Sequence, residues 1–189
     1  MFDMDRERLL EKAYYIPSEE EKEQTRFVSQ ILIFSGRGTV LSVLKKRERS
    51  GNAWDLPGGG VDPNESFLAT ALREFQEELR ITPQVMVPFA LSYEESEIPG
   101  KKNYAAFTFV SHLTDEITPI VDGIEHINSS WLRFKDIPIV LRDRTKRFDR
   151  HLLAHPEVQS MTTEDFMSII METMQPSHPS PRPSWEEPA

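Results

Sequence analysis

The sequence predicts an α/β fold, and three stretches carry that prediction. Two β-rich runs, Arg26 to Phe34 and Thr39 to Lys45, flank Ser35-Gly36-Arg37-Gly38 and read as a hairpin. From Phe67 to Leu79 the apolar residues Phe67, Leu68, Ala71, Leu72, Phe75 and Leu79 recur at three- and four-residue steps, the pattern of a helix with one buried face. Further on, Tyr104 to Leu113 sets Ala105, Phe107 and Phe109 against Thr108 and Val110, which is strand alternation. At 189 residues without an internal repeat, the chain suits one domain with a substantial core.

The N-terminal residues 1–24 read as a polar extension. Phe2, Leu9, Leu10, Ala13 and Tyr14 outline an amphipathic helix that Pro17 interrupts, and Ser18-Glu19-Glu20-Glu21 forms a capping box for a second short turn. Packing on the domain and dimerisation are candidate roles for it, beside that of a plain extension. The main domain spans 25–175. After the hairpin, Lys45, Lys46, Arg47 and Arg49 gather upstream of a glycine-rich loop. Each reads singly as a solvated surface charge; as a group they are candidates to contact phosphate.

The stretch from Trp54 to Ile81 organises the rest. Asp62, Pro63, Asn64 and Ser66 mark the start of the Phe67–Leu79 helix, with Asn64 or Ser66 as the capping acceptor. Opposite the apolar face, Glu74 and Glu78 stand one turn apart with Glu77 beside them, so three carboxylates share one surface. Their mutual repulsion would be relieved by a cation, and Mg2+ prefers carboxylate oxygens and is commonly shared with phosphates. Gly58, Gly59 and Gly60 allow backbone groups to approach a metal or phosphate closely. Arg73 can grip a carboxylate in two-pronged fashion, with Glu65 and Glu77 as candidates. Taken alone, a run such as R-E-F-Q-E-E is the solvated face of a helix, and three glycines are a turn. Their joint spacing in a loop-then-helix context is what points to phosphate chemistry.

Beyond the helix, Pro83 disfavours helical geometry at Thr82. Strands are expected at Gln84 to Tyr93 and Tyr104 to Leu113, joined by a charged loop of the kind that shapes pockets. A further strand contains Trp131, and Glu116 and Glu125 are candidates for an extra acid, although each singly reads as a surface residue. His151 and His155 lie four apart, but without the glutamate of H-E-x-x-H or a third ligand they read as structural or solvent-facing. A last helix is expected from Thr163 to Met174, followed by a proline-rich tail, 176–189, that reads as extended or disordered.

Composition narrows the function. A formal charge of −9 argues against broad capture of extended nucleic acid, and an acidic protein handling an anionic substrate needs a metal or a local basic patch. The absence of cysteine removes disulfides, thiolate catalysis and cysteine zinc sites. No apolar run has the length of a membrane span, and the acidic N-terminus is unlike a signal peptide, so a cytoplasmic, soluble protein is expected.

Gly59, Glu65 and Arg73-Glu74-Phe75-Gln76-Glu77-Glu78-Leu79-Arg80-Ile81 stand at the spacing of the Nudix box, G-x5-E-x7-R-E-U-x-E-E-x-G-U, where U is an aliphatic or aromatic residue. The chain thus resembles Nudix hydrolases, with Arg80 in place of the second glycine. The likeness spans about residues 26 to 140. It implies an α/β/α sandwich with a mixed β-sheet between helices, and hydrolysis of a nucleoside diphosphate linked to another group. It also implies Glu74, Glu77 and Glu78 as ligands of Mg2+ or Mn2+, with catalysis by these residues and Arg73. The resemblance further implies Arg73 and Glu65 as the pair that orients them, and a carbonyl of Gly58 or Gly59 as a completing ligand. Glu74 and Glu125 are rival candidates for the base. The expected substrate is a small-molecule nucleotide. A nucleoside triphosphate is favoured, with ADP-ribose or another derivative, or a non-catalytic Nudix binding module, as alternatives. A homodimer is compatible with the sequence. At Arg80, either the left-handed backbone of the usual glycine is kept at a cost of about 1 kcal/mol, or the helix ends differently.

Overall fold

A computed structural model describes residues 6–37, 39–46, 52–81, 86–113, 115–119, 121 and 126–133. Three helices and seven strands are formed among them: α1 (Arg6–Ala13), α2 (Glu19–Gln24), β1 (Thr25–Ser35), β2 (Thr39–Lys45), β3 (Ala53–Asp55), β4 (Gly58–Gly60), α3 (Phe67–Leu79), β5 (Val87–Glu94), β6 (Asn103–Leu113) and β7 (His126–Arg133). The strands make one sheet in the order β3-β2-β1-β6-β5, with β4 added to β1 and β7 to β2. β1 and β6 run parallel and the other pairs antiparallel, so the sheet is mixed.

The expected hairpin is present, with Phe34 opposite Val40. Its strands bury Ile31, Ile33, Leu41 and Val43 in the core shared with Phe67, Ala71, Phe75 and Leu79 of α3 and Phe107 and Phe109 of β6. Burying side chains of this size contributes about 1.5–3 kcal/mol each, which fixes α3 against the sheet. Leu72, expected on the buried face, is exposed. Leu9 and Ala13 of α1 enter the same core, whereas Leu10 and Tyr14 are exposed. Both α1 and α3 therefore lie on one face. On the opposite face Gln30 Nε2 donates to Thr108 Oγ1 at 2.9 Å, between register partners of β1 and β6.

The capping box of α2 is formed: the Ser18 side chain accepts from Glu21 N–H, and the Glu21 carboxylate accepts from Ser18 N–H. For α3 the cap is Ser66, which accepts from Ala69 N–H at 3.2 Å. Asn64 instead turns the approaching loop with φ +63°. The strand expected from Gln84 begins at Val87, and Trp131 lies in β7 as expected. Glu125, Arg47, Arg49, His151, His155, the Thr163–Met174 stretch and the proline-rich tail lie outside the described residues.

Candidate active site

Two short pieces of backbone bring the box residues together. β4 pairs antiparallel with β1, placing Gly58 opposite Gln30, Gly59 opposite Ser29 and Gly60 opposite Val28. Ser29 Oγ in turn donates to the Phe67 carbonyl at 2.8 Å, so the start of α3 is tied to the same strand. Glycine is required at Gly58, and at Gly59 it leaves room for a carboxylate. Gly58 has φ +140°, and a Cβ there would run into the Ser29 carbonyl and Gln30 Cα; at Gly59 a Cβ would land on the Glu74 carboxylate. The loop and helix are thus in contact at the carboxylates.

Arg73 is the hub. Its Nε and Nη2 donate to the two oxygens of Glu65 at 2.9 and 3.0 Å, and its Nη1 reaches Glu74 Oε1 at 2.7 Å and Glu77 Oε2 at 3.1 Å. Nη2 also donates to the Gly60 carbonyl at 3.1 Å and lies 3.6 Å from Asp62 Oδ2. Of the two carboxylates the sequence offered to Arg73, Glu65 takes the two-pronged grip and Glu77 a single bond. The contact with Gly60 carries no side-chain signal and was not legible.

Glu78 is held separately. Its Oε2 accepts from Gly58 N–H at 2.9 Å, and its Oε1 lies 3.4 Å from Lys45 Nζ, which also donates to the Gly58 carbonyl at 2.5 Å. The side chain of Glu78 is 5% exposed against 60% for Glu77, so the two carboxylates differ in their access to solvent. Among the described residues no three His, Cys, Asp or Glu side chains converge as a metal site. Arg73 pairs with Glu74 and Glu77 and Lys45 with Glu78, and Glu78 lies near enough to Glu74 for the two charges to interact. Lys45 was legible only as one of a basic group; its inward aim follows from strand alternation with the core-facing Leu41 and Val43.

The charges respond to these surroundings. Arg73 beside Glu65 holds that carboxyl below its ordinary value, against the opposing effect of burial. Glu74 shifts upward because burial, followed by the charge of Glu78, outweighs its bond to Arg73. Arg73 itself is pushed up, first by Glu65. Glu116, the other candidate acid, is elsewhere. It accepts from Thr39 Oγ1 at 2.5 Å and from Ser35 Oγ at 3.3 Å, with Arg37 at 3.6 Å. Thr39 and Lys45 are the two ends of β2, about 20 Å apart at about 3.3 Å per residue. Glu116 therefore belongs to the hairpin end.

Arg80 keeps the backbone that the box glycine would adopt, with φ 56° and ψ 32°, and its N–H donates to the Gln76 carbonyl at 3.1 Å. The helix thus ends in the left-handed cap despite a side chain at that position.

The family model for the NUDIX domain matches residues 24–155. The chain belongs to the Nudix family. It is 31% identical over 139 residues to an RNA pyrophosphohydrolase of Novosphingobium aromaticivorans, covering 65% of this chain and 86% of the relative. Among solved structures it resembles a MutT NUDIX hydrolase from Burkholderia pseudomallei at 26% identity and TM-score 0.53, covering 65% of this chain and all of that one. The NUDIX domain of Shewanella oneidensis NrtR, solved with ADP ribose, shares the fold at 15% identity and TM-score 0.57, over 88% of this chain and 99% of that one. This Nudix protein is a pyrophosphohydrolase acting on nucleotide derivatives. Among its described residues no helix is long and apolar enough to cross a membrane.

Proposed function

We propose that this Nudix protein cleaves the diphosphate linkage of nucleoside diphosphate derivatives with Mg2+ or Mn2+, and that nucleoside triphosphates, yielding nucleoside monophosphate and pyrophosphate, are its favoured substrates. The carrying observation is the single guanidinium of Arg73 binding Glu65, Glu74 and Glu77 beside a Glu78 carboxylate fixed on Gly58. All four box carboxylates are thereby gathered at the loop–helix junction.

The donor set fits a hard divalent ion. It consists of carboxylate and carbonyl oxygens, and two of these groups, Glu78 and the Gly58 carbonyl, already hold a cation in the form of the Lys45 ammonium. In this reading Glu74, Glu77 and Glu78 hold the metal with the Gly58 carbonyl, while Arg73 and Glu65 orient them. The bound ion supplies neutralisation of the diphosphate and a lower pKa for the attacking water. The protein's own contribution is positioning. Arg73 fixes the helix face against the loop, and Gly59 leaves room for Glu74.

A cleft of about 440 Å³ beside Gly60 and Val61 supports an anionic substrate, because Lys22, Arg26, Lys101 and Lys102 line it in a chain of net charge −9. A triphosphorylated RNA 5′ end is the second reading, favoured by the 31% identical relative named RNA pyrophosphohydrolase. The acidic, cysteine-free composition suits a cytoplasmic enzyme, with residues 25–175 as the catalytic unit.

The test is Mg2+- or Mn2+-dependent release of phosphate or pyrophosphate from nucleoside triphosphates, 5′-triphosphorylated RNA, ADP-ribose and dinucleoside polyphosphates, comparing wild type with Glu78→Gln. Turnover of nucleoside triphosphates that the substitution abolishes in a folded protein is expected. Preferential turnover of the RNA moves the assignment to the second reading. Metal-independent nucleotide binding without turnover of any substrate would replace both with a binding module.

A further inference from the structure

Lys45 occupies a position where the sheet otherwise places apolar side chains. Leu41 and Val43, two and four residues earlier, face the core, and alternation carries Lys45 to the same side, under the last turn of α3. The pairing of β2 with β7 shifts register at this point, Leu44 pairing with Asn128 and Lys45 with His126, so the extra residue, Ile127, belongs to β7. β2 itself keeps its alternation, and its pairing with β3 runs without a shift through Val43, Leu44 and Lys45. The Lys45 ammonium then meets the Gly58 carbonyl at 2.5 Å and Glu78 Oε1 at 3.4 Å, and its side chain is 21% exposed. It therefore has two oxygen partners and a route to solvent.

We propose that Lys45 is an internal counter-ion which a divalent metal must displace from Gly58 and Glu78, and that the displaced ammonium then positions the substrate's phosphate. The proposal rests on the reading of Glu78 as a metal ligand. Glu78 is nearly enclosed, and a charge so buried requires compensation. Lys45 provides it in this structure. An ammonium and a divalent ion cannot share the same two oxygen groups, since like charges at contact distance repel strongly where water is scarce. Exchange of one for the other keeps Glu78 compensated throughout. It also moves a flexible, four-carbon cation toward solvent beside the metal, where an incoming phosphate can be met.

The device makes Lys45 lower the metal affinity of the free protein and raise the phosphate affinity of the metal-loaded one. Mg2+ binding to full-length, metal-stripped wild type, Lys45→Met, Lys45→Gln and Glu78→Gln is measured by calorimetry. The lysine ammonium resonance is followed by 15N NMR in the same titration of wild type. Both Lys45 variants are expected to bind Mg2+ about tenfold more tightly than wild type, because the competing charge is gone, and to show a raised KM with kcat little changed. Lys45→Gln retains hydrogen-bonding groups for Gly58 and Glu78, so it serves if Lys45→Met fails to fold. In wild type the protected ammonium resonance is expected in EDTA and to disappear on Mg2+ addition. Unchanged or weaker Mg2+ binding in a folded Lys45 variant overturns the proposal, as does an ammonium signal indifferent to Mg2+. If Glu78→Gln binds Mg2+ as wild type does, the ligand reading itself falls and the proposal with it. If Glu78→Gln weakens binding while the Lys45 variants leave it unchanged, only the exchange falls.

Discussion

Arg73 and Glu65 meet through two parallel hydrogen bonds, Nε to Oε1 at 2.9 Å and Nη2 to Oε2 at 3.0 Å. Glu65 precedes the Ser66 cap and Arg73 lies within α3, so the pair fastens the glycine-rich loop to the helix it feeds. Thr70 Oγ1 adds a bond to Glu65 Oε2 at 2.9 Å. A planar guanidinium can make this fork and still turn Nη1 toward Glu74 and Glu77; an ammonium cannot satisfy all of these acceptors in the same geometry. The arrangement makes one side chain responsible for both loop placement and the charge balance of the site.

Acid sensitivity follows from that pair. Arg73 holds the Glu65 carboxyl below its ordinary value near 4.5. A carboxyl whose folded-state value is depressed contributes stability that is fully present above the unfolded value and is lost as pH falls through the folded one. Glu65→Gln is therefore expected to lower stability at neutral pH and to flatten the loss of stability below about pH 4.5. Urea denaturation of both proteins between about pH 3 and 7 checks this. Parallel acid limbs for wild type and variant would remove the Glu65 contribution.

The neighbouring glycines should fail in different ways. At Gly58 an alanine Cβ meets backbone atoms of Ser29 and Gln30, and φ is +140°. Gly58→Ala is expected to cost on the order of 2–4 kcal/mol of stability, since backbone must move. At Gly59 the added Cβ meets the Glu74 carboxylate, the movable end of a side chain. Gly59→Ala should stay within about 1 kcal/mol of wild type while kcat drops on the order of tenfold or more, because Glu74 is pushed off its position. Thermal denaturation and steady-state kinetics on the two variants separate these outcomes. A Gly59→Ala enzyme with wild-type kcat would mean that the place of Glu74 does not matter.

Periodic features were legible in the sequence and chain-distant ones were not. The hairpin declared itself through two β-rich runs around Ser35-Gly36-Arg37-Gly38, α3 through apolar residues at three- and four-residue steps, and the start of α3 through Ser66 before the apolar run. The Arg73–Glu65 pair was legible from the spacing of the box. Leu72 was misplaced because a helical stripe does not show where the covering sheet ends. Lys45 meets Glu78 across 33 residues of sequence, and only the pairing of strands brings them together. Glu116 was a fair candidate by charge alone, since a sequence does not say at which end of a strand an acid emerges.

Glu116 supplies a negative control. Its bonds to Thr39 and Ser35 tie it to the hairpin end of β2, remote from Lys45 and Glu78 at the other end. Glu116→Gln is expected to leave kcat/KM within about twofold of wild type and to cost about 0.5–1.5 kcal/mol of stability through a weakened hairpin contact. Metal-dependent hydrolysis assayed beside thermal denaturation tests both halves. A large loss of turnover with unchanged stability would return Glu116 to the list of catalytic candidates.

Arg80 departs from the box without departing from its geometry. With φ 56° and ψ 32° it holds the left-handed conformation that costs a residue with a Cβ about 1–2 kcal/mol. Its N–H still donates to the Gln76 carbonyl, so the end of α3 is satisfied and Leu79 stays in the core. Glycine at this position removes the strain but increases the freedom of the unfolded chain, an offset of about 0.4–1 kcal/mol. Arg80→Gly is thus expected to gain about 0.5–1 kcal/mol, or roughly 1–4 °C in Tm for a domain of this size. Glu74, Glu77 and Glu78 precede this cap on a helix whose course does not change, so turnover should remain at the wild-type level. Thermal denaturation and metal-dependent hydrolysis of the two proteins decide the matter. A variant that melts lower than its parent would show that the Arg80 side chain makes a contact worth more than the backbone strain. One that folds but no longer turns over would show that the side chain serves the reaction itself.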